Sequence, residues 1–392
     1  MATSQTEERG SIPRRRRRRE VFVVIVVTAM ALLFGVPWWV LVLAPSWPGP
    51  VLVAGTVVFA AAAVGFPGLM FLGHGRGVDG AARVADTMLG VEWVLFTCAV
   101  LGTVPRIVLA VLGVEDPLRS RTVAGLVLVV AVGLVAWGLV EALRVPRVRR
   151  VEVRIPRLGS GLDGLRVVVL ADTHYGPINR VRWSAAVAVA VTELAPDIVC
   201  HAGDIADGPV TRRREQAAPL GTIEASLARV YVTGNHEYYG EAQGWLDLMT
   251  ELDWQPLHNR HLVIERDGSR LILAGVDDAT AGASGLPGHG ADLADALAGT
   301  DPKLPVLLLA HQPRQVAQAA PAGVDLQISG HTHGGQIWPF HFLVRIDQPT
   351  VQGLSRHGER TQLYTTRGAG FWGPPLRIFA PSEISLLILR AG

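Results

Sequence analysis

Four long stretches of the chain carry almost no charge, and each is long enough to cross a bilayer as a helix. Residues 21–44 have no charge in 24 positions, about 36 Å of helix at about 1.5 Å per residue, against a hydrocarbon core of about 30 Å. Residues 51–72 and 122–143 repeat the pattern, with Glu141 near the far end of the latter. Between them, 88–112 is apolar apart from Glu92 and Arg106, and is read as the third of four spans; the alternative for this segment is an interfacial or re-entrant helix. After Arg150 the pattern changes to short runs rich in β-branched residues. Residues 165–171, 197–202, 230–233, 271–276, 304–310 and 325–329 predict buried strands, with helices at 180–194, 241–252 and 291–298. The expected layout is a tail over 1–20, a four-helix transmembrane region over 21–143, a linker over 144–150 and an α/β domain over 151–392.

Composition agrees with that division. The chain is 49% hydrophobic and only 18% charged, where an ordinary soluble domain has about 25% charged residues. Basic residues number 16 against 9 acidic over 1–150, and 20 against 25 over 151–392, so a half of +7 precedes a half of −5. The folded half therefore lacks the positive excess that phosphate backbones select, and nucleic-acid binding is not expected. Two cysteines, Cys98 and Cys200, make no disulfide framework.

Arginine sets the expected side of the membrane. Arg14 to Arg19 precede the first span, and Arg144, Arg147, Arg149, Arg150 and Arg154 follow the last, whereas 44–50 carries no charge. Both ends of the bundle are thus expected in the cytoplasm, which requires an even number of crossings and places a multi-pass protein in the cell membrane with its 151–392 domain cytoplasmic. A signal peptide, twin-arginine included, is the rival for 1–44, but its apolar region should be about 7 to 15 residues with no further spans behind it. Glu92 and Arg106 fall near expected span ends, so both side chains are expected to snorkel rather than form an intramembrane site.

Chemistry in the second half gathers where strands end. The first strand runs into Asp172-Thr173-His174, whose first and third side chains share a face because extended backbone alternates with period two. The second leads to Gly203-Asp204 and then Asp207-Gly208, the third to Gly234-Asn235-His236-Glu237, a later one to Ala310-His311, and the last to Gly330-His331-Thr332-His333-Gly334-Gly335. Only the end after Val276 is read as lacking a ligand. In α/β sheets, sites form beyond the carboxyl ends of strands. Oxygen and imidazole donors from five such ends suit cations of the Mn, Fe, Zn or Co class, and the absence of cysteine argues against a structural zinc.

These blocks, D-x-H, G-D, G-N-H-E, a lone H and G-H-T-H in that order, resemble the calcineurin-like metallophosphoesterase superfamily over about residues 160–390. The extended 330–337 block followed by Pro339 looks like its bacterial membrane-anchored branch. The resemblance implies a four-layer α/β/β/α sandwich of two mixed sheets and a hydrolase of phosphoesters that uses two divalent or trivalent metal ions. It implies that Asp172, His174 and His333 hold one metal, that Asn235, His311 and His331 hold the other, and that Asp204 bridges them. Two cations about 3.5 to 4 Å apart independently need shared negative charge between them. Metal-activated hydroxide would attack phosphorus, with His236 as the acid for the leaving oxygen and Asp207 orienting its imidazole.

The sequence departs from the superfamily's phosphoprotein phosphatases at Gly208 and Thr233, where those enzymes carry phosphate-gripping arginines. A phosphodiester, or a small, nucleotide or lipid-linked phosphoester, fits better than a phosphoprotein. A non-catalytic membrane sensor or scaffold that kept the domain is the competing function class, against which no ligand position is lost. Residues 75–80 and 159–164 both fit G-x-G-x-x-G, but neither follows a strand, and both are read as turns. Trp338, Phe340 and Phe342 alternate as one buried strand face would, the alternative being an aromatic rim shared with Phe371 and Trp372 that admits a lipid; Arg212 to Arg214 read as a solvated helix face.

Overall fold

The computed structural model describes residues 11–392, with side chains from Glu20 onward. The first ten residues of the expected basic tail lie outside the described residues, and of 11–19 only the helical backbone is described. Two compact units emerge, one built from the chain up to Arg76 with Val84–Val135, the other from Gly77–Arg83 with Ala136–Gly392.

Among the described residues, four helices are long and apolar enough to cross a membrane: Glu20–Leu43, Gly49–Gly75, Asp79–Val111 and Leu118–Leu143. The third begins nine residues before the expected 88, because the run from Asp79 to Thr87 is rich in alanine and opens with an acidic residue in its first turn. Pro37 and Pro67 lie inside the first two helices, each followed within a few residues by a π turn, at Trp39–Leu43 and Phe71–Gly75; proline withdraws an amide and crowds the preceding turn, which loosens the ladder there. Val57, Val58, Val64, Val129 and other large apolar side chains point outward. Inside the first unit Phe34 and Phe66 meet at 5.9 Å between ring centroids, over Ala85. Glu92 does not snorkel. Its side chain is buried among the helices, where it avoids lipid, while the Arg106 guanidinium lies 4.7 Å over the Trp39 ring.

The second unit holds two six-stranded sheets. Strands β1 (Arg147–Ile155), β2 (Arg166–Leu170), β3 (Ile198–Ala202), β4 (Ala228–Val232), β5 (Gln255–Pro256), β6 (Arg260–Arg266), β7 (Ser269–Gly275), β8 (Val306–Leu309), β9 (Leu326–Ser329), β10 (Gly353–His357), β11 (Thr361–Thr365) and β12 (Glu383–Ala391) are arranged as β1-β12-β2-β3-β4-β5 and β10-β11-β9-β8-β7-β6. β2 to β5 run parallel, β12 pairs antiparallel with β2 and parallel with β1, and β7, β8, β9 and β11 run parallel.

Alternation along β2 explains the layers. Val167 and Val169 face the second sheet and pack with Leu273, Leu307, Ile328 and Leu387. Val168 and Leu170 face the other way, toward Trp183, Val187, Val191, Trp245 and Met249 of the helices Val181–Thr192 and Ala242–Glu251. On the outer face of the second sheet Ile272, Ala274 and Leu308 pack under Ala296 and Ala319. The result is the four-layer α/β/β/α sandwich.

Two further sequence readings need correction. The stretch expected as a linker over 144–150 is strand from Arg147 on: in R-V-R-R-V-E-V-R-I the inner residues Val153 and Ile155 are fully buried, and Arg149 pairs with the buried Glu383 at 3.5 Å. The expected aromatic strand at 338–342 is instead a turn into the helix His341–Asp347, with Phe342 59% exposed. Of 75–80, residues 76–78 are a turn, while Gly75 ends a π turn and Asp79 and Gly80 open the third long helix; 159–164 hold a short helical turn.

Candidate metal centre

Every sequence-predicted site residue lies beyond the carboxyl end of a strand, and the two sheets bring them to one place. Asp172 and His174 follow β2, Asp204 and Asp207 follow β3, Asn235 and His236 follow β4, His311 follows β8, and His331 and His333 follow β9. Asp172, His174, Asp204, His331 and His333 all adopt positive φ, between 42° and 71°. Such backbone is rare for non-glycine residues and persists only where surrounding contacts impose it, as at functional sites. Gly203, at φ +91°, is one such imposition: a Cβ there would lie 2.6 Å from His311 Nδ1.

The donors form two groups joined by one carboxylate. In the first, His174 Nε2 and His333 Nε2 are 3.0 Å apart and His333 Nε2 is 3.7 Å from Asp172 Oδ1. In the second, Asn235 Oδ1 lies 2.9 Å from His331 Nδ1 and 3.2 Å from His311 Nε2. Asp204 Oδ2 stands between them, 3.5 Å from His174 Nε2 and 3.2 Å from His311 Nε2. For bonds of about 2.1 Å, donors around one cation are about 3 to 4 Å apart depending on the ligand angle, so these spacings fit an ion in each group. The ring orientations fit too. His311 Nδ1 is 2.7 Å from the Ala202 carbonyl and His174 Nδ1 is 2.9 Å from Asp207 Oδ1, contacts that place the proton on Nδ1 and turn each Nε2 lone pair into the cluster.

Electrostatics show why such a cluster wants cations. Burial pushes Asp172 up to about 6, with Asp204 adding to the rise. Burial also opposes the charge on Asp204, yet the imidazoles of His311, His236 and His174 hold it well below the usual carboxylate range. Burial pulls His331 down to about 4 and His333 well down, the latter helped by His174 and Arg377. His331 and His333 are thereby held neutral, as metal ligands must be, whereas burial opposes the charge on His311 yet Asp204 holds it well above the usual imidazole range, a proton that a bound cation would displace.

His236 stands apart from both groups. Its Nδ1 is 2.7 Å from Asp207 Oδ1, its ring meets Trp372 edge-on at 5.8 Å, and its backbone N–H donates to Asp204 Oδ1 at 2.9 Å. Burial would lower its pKa, but Asp204 and Asp207 together raise it to about 9. Trp372 is 52% exposed above it, whereas Phe371 is buried against Arg180.

Several residues of the site escaped the sequence reading. Glu237 accepts the N–H groups of Asp204, Ile205 and Gly234 at 3.0, 2.8 and 2.6 Å, tying the β3 and β4 loops together. Arg377 is fully buried and donates to the His333 and Ala380 carbonyls at 2.8 and 3.2 Å; Arg180 donates to the His174 carbonyl at 2.6 Å. Val276 is followed by Asp277-Asp278, so that strand end has carboxylates after all. Asp278 receives Gln312 Nε2 at 3.0 and 2.9 Å, while Asp277 receives His258 at 2.6 Å and the Gly290 N–H at 3.0 Å. With both its oxygens thus engaged, Asp277 braces the loops at 258 and 290. Arg213 is buried rather than solvated: it holds Asp79 through two bonds of 2.8 and 2.7 Å and donates to the Asp207 carbonyl at 3.1 Å.

Residues 165–335 match the model of the calcineurin-like phosphoesterase domain. An uncharacterized metallophosphoesterase of Campylobacter jejuni is 36% identical over 290 residues, covering 73% of this chain and 75% of that protein. Proteins described as "transmembrane protein with metallophosphoesterase domain" are 39% identical in Danio rerio, covering 68% of this chain, and 38% identical in Bos taurus, covering 65%. The chain spans 62% and 59% of the length of those two relatives. The chain belongs to the calcineurin-like metallophosphoesterase family.

Proposed function

We propose that the chain is a membrane-anchored phosphoesterase that works with two divalent or trivalent metal ions of the Mn, Fe, Zn or Co class. Asp172, His174 and His333 hold one, Asn235, His311 and His331 the other, and Asp204 both. The observation that carries this reading is the position of Asp204 Oδ2, within 3.5 Å of His174 Nε2 and 3.2 Å of His311 Nε2. Two bound cations supply an activated water and positive charge for the phosphoryl oxygens.

The remaining chemistry belongs to the chain. His236, raised to about 9, carries a proton at neutral pH that its outer nitrogen can give to a leaving oxygen. Asp207 keeps that ring oriented. Glu237 fixes the two loops that carry Asp204 and Asn235, and Arg377 fixes the His333 loop. Thr233 and Gly208 put no guanidinium fork at the two positions where phosphoprotein phosphatases grip phosphate, which favours a phosphodiester or a small, nucleotide or lipid-linked phosphoester. Its four helices cross the cell membrane, with the catalytic unit on the cytoplasmic side. Full-length protein, stripped of metal and resupplied with Mn, Fe, Zn or Co, should hydrolyse members of a panel of lipid, nucleotide and sugar phosphoesters. A metal-loaded protein inert to all of them would instead be a sensor or scaffold.

A further inference from the structure

The final turns of the helix Leu118–Leu143 belong, from Ala136 on, to the same compact unit as the two sheets. The Arg377 N–H donates to the Gly138 carbonyl at 3.0 Å, and a Cβ on residue 138 would lie 2.8 Å from Ile378 Cγ1, so glycine lets the loop reach the helix backbone. Beside this contact Trp137 packs on Phe379 at 5.4 Å between centroids, and Phe379 faces Trp338 at 6.4 Å. The 26 residues of the helix span about 39 Å, about 9 Å more than a hydrocarbon core. Trp137, six residues before its end, stands about 9 Å from it, with Glu141 and Arg144 beyond it, close to the level where membrane proteins carry their aromatic belts.

Next to these rings opens a cavity of about 760 Å³ whose wall includes Trp338, His341, Arg345, Gln348, Ile378 and Phe379. Its lining contains no carboxylate, and Arg345 is its one permanent charge. Arg345 is exposed and has no ion pair among the described residues. Outside it, Phe342 (59% exposed), Leu343, Ile346 (82%) and Phe379 (64%) turn apolar surface away from the protein. A cavity with a lone cation and an apolar lip, level with the end of a membrane-length helix, has the chemistry of a lipid headgroup site.

We propose that this cavity receives an anionic phospholipid from the surrounding bilayer, its phosphate on Arg345 and its acyl chains along Phe342, Leu343, Ile346 and Phe379. A soluble phosphate would leave that lip in water. The proposal rests on the reading of the four helices as membrane spans, and does not depend on hydrolysis.

The test uses the full chain in nanodiscs with phosphatidylglycerol or phosphatidylcholine carrying a photoreactive acyl chain, with adducts mapped by mass spectrometry. Phosphatidylglycerol should label residues 338–352 and 378–380 more than phosphatidylcholine does, and Arg345→Glu should cut that labelling at least about fivefold, what one arginine is worth at an anionic surface. Ile346→Ser should lower labelling by both lipids, while metal content and turnover of a soluble nitrophenyl ester stay unchanged in both variants. Equal labelling by the two lipids, labelling confined to the span helices, or indifference to Arg345→Glu would overturn the proposal. A chain that fails to enter nanodiscs would overturn the membrane reading and this proposal with it.

Discussion

His236 Nδ1 lies 2.7 Å from Asp207 Oδ1. The same oxygen is 2.9 Å from His174 Nδ1, and the two rings meet edge-on with centroids 4.6 Å apart. One carboxylate therefore fixes the tautomer of a proposed ligand and the charge of a proposed acid together. Asp207→Asn keeps the shape and removes the charge that, with Asp204, raises His236 to about 9. The His236 pKa should then fall, so the alkaline limb of the pH–rate profile on an alkyl phosphoester should move to lower pH. An unmoved limb would show that another group supplies the proton.

His236→Ala should be selective. A leaving oxygen of high pKa needs protonation as its bond breaks, help typically worth about 10² to 10⁴ in rate, whereas nitrophenolate leaves unaided. Turnover of an alkyl ester should drop by that factor, a nitrophenyl ester should lose far less, and both metals should stay bound. Rates on the two esters beside metal analysis decide the matter: equal losses, or a lost metal, would make His236 a ligand or a phosphate clamp.

Asp204→Asn withdraws the negative charge between the two cations while preserving side-chain shape. Metal content, by elemental analysis of the purified protein, and turnover should collapse together. Two tightly held metals with near-normal rates would sink the bridging role.

Glu237→Ala leaves three buried N–H groups, of Asp204, Ile205 and Gly234, without their acceptor. At about 1 to 3 kcal/mol per unpaired buried group, the expected destabilisation is roughly 3 kcal/mol or more. Denaturant unfolding followed by tryptophan fluorescence measures it, and a loss below about 1 kcal/mol, the value of a single ordinary hydrogen bond, would mean that water takes over the three bonds.

Arginine flanks both ends of the helical region, so reporters fused at Met1 and at Gly392 should both read as cytoplasmic. A C-terminal reporter found outside the cell would remove the four-span arrangement.

What could be read from the sequence followed from how locally each feature is determined. β2, β3, β4, β8 and β9 are almost wholly buried and read as mainly apolar runs, interrupted at Arg166, His201, Arg229, Gln327 and Ser329, and the ligands come within a few residues after them, so run and donor are found together. β1 and β12 depend on each other across more than two hundred residues, and the arginine-rich run of β1 reads as a linker because its ladder partner, which carries the Glu383 that pairs with Arg149, lies at the far end of the domain. Arg377 and Arg180 resemble any loop cation in sequence; only the fold shows that they hold the loops carrying His333 and His174. Asp277 and Asp278 obey the same strand-end rule as the ligands, but no histidine directly follows them in sequence to mark the end as a site. The alternation of Trp338, Phe340 and Phe342 suggested a strand, but a helix begins at His341 and tertiary context sets their exposure.

The order β1-β12-β2 has a consequence for how the protein is made. β1 emerges from the ribosome directly after the fourth apolar helix, yet its ladder partner is β12. At about 5 to 20 residues per second, the roughly 230 residues between them take on the order of ten to fifty seconds to synthesise. Throughout that interval β1 carries an unpaired strand edge, and β2, which leads to Asp172, lacks its neighbour on that side. Four arginines in the nine residues of β1 keep such an edge from pairing with another chain, so the charges that obscured the strand in the sequence also guard it while it waits.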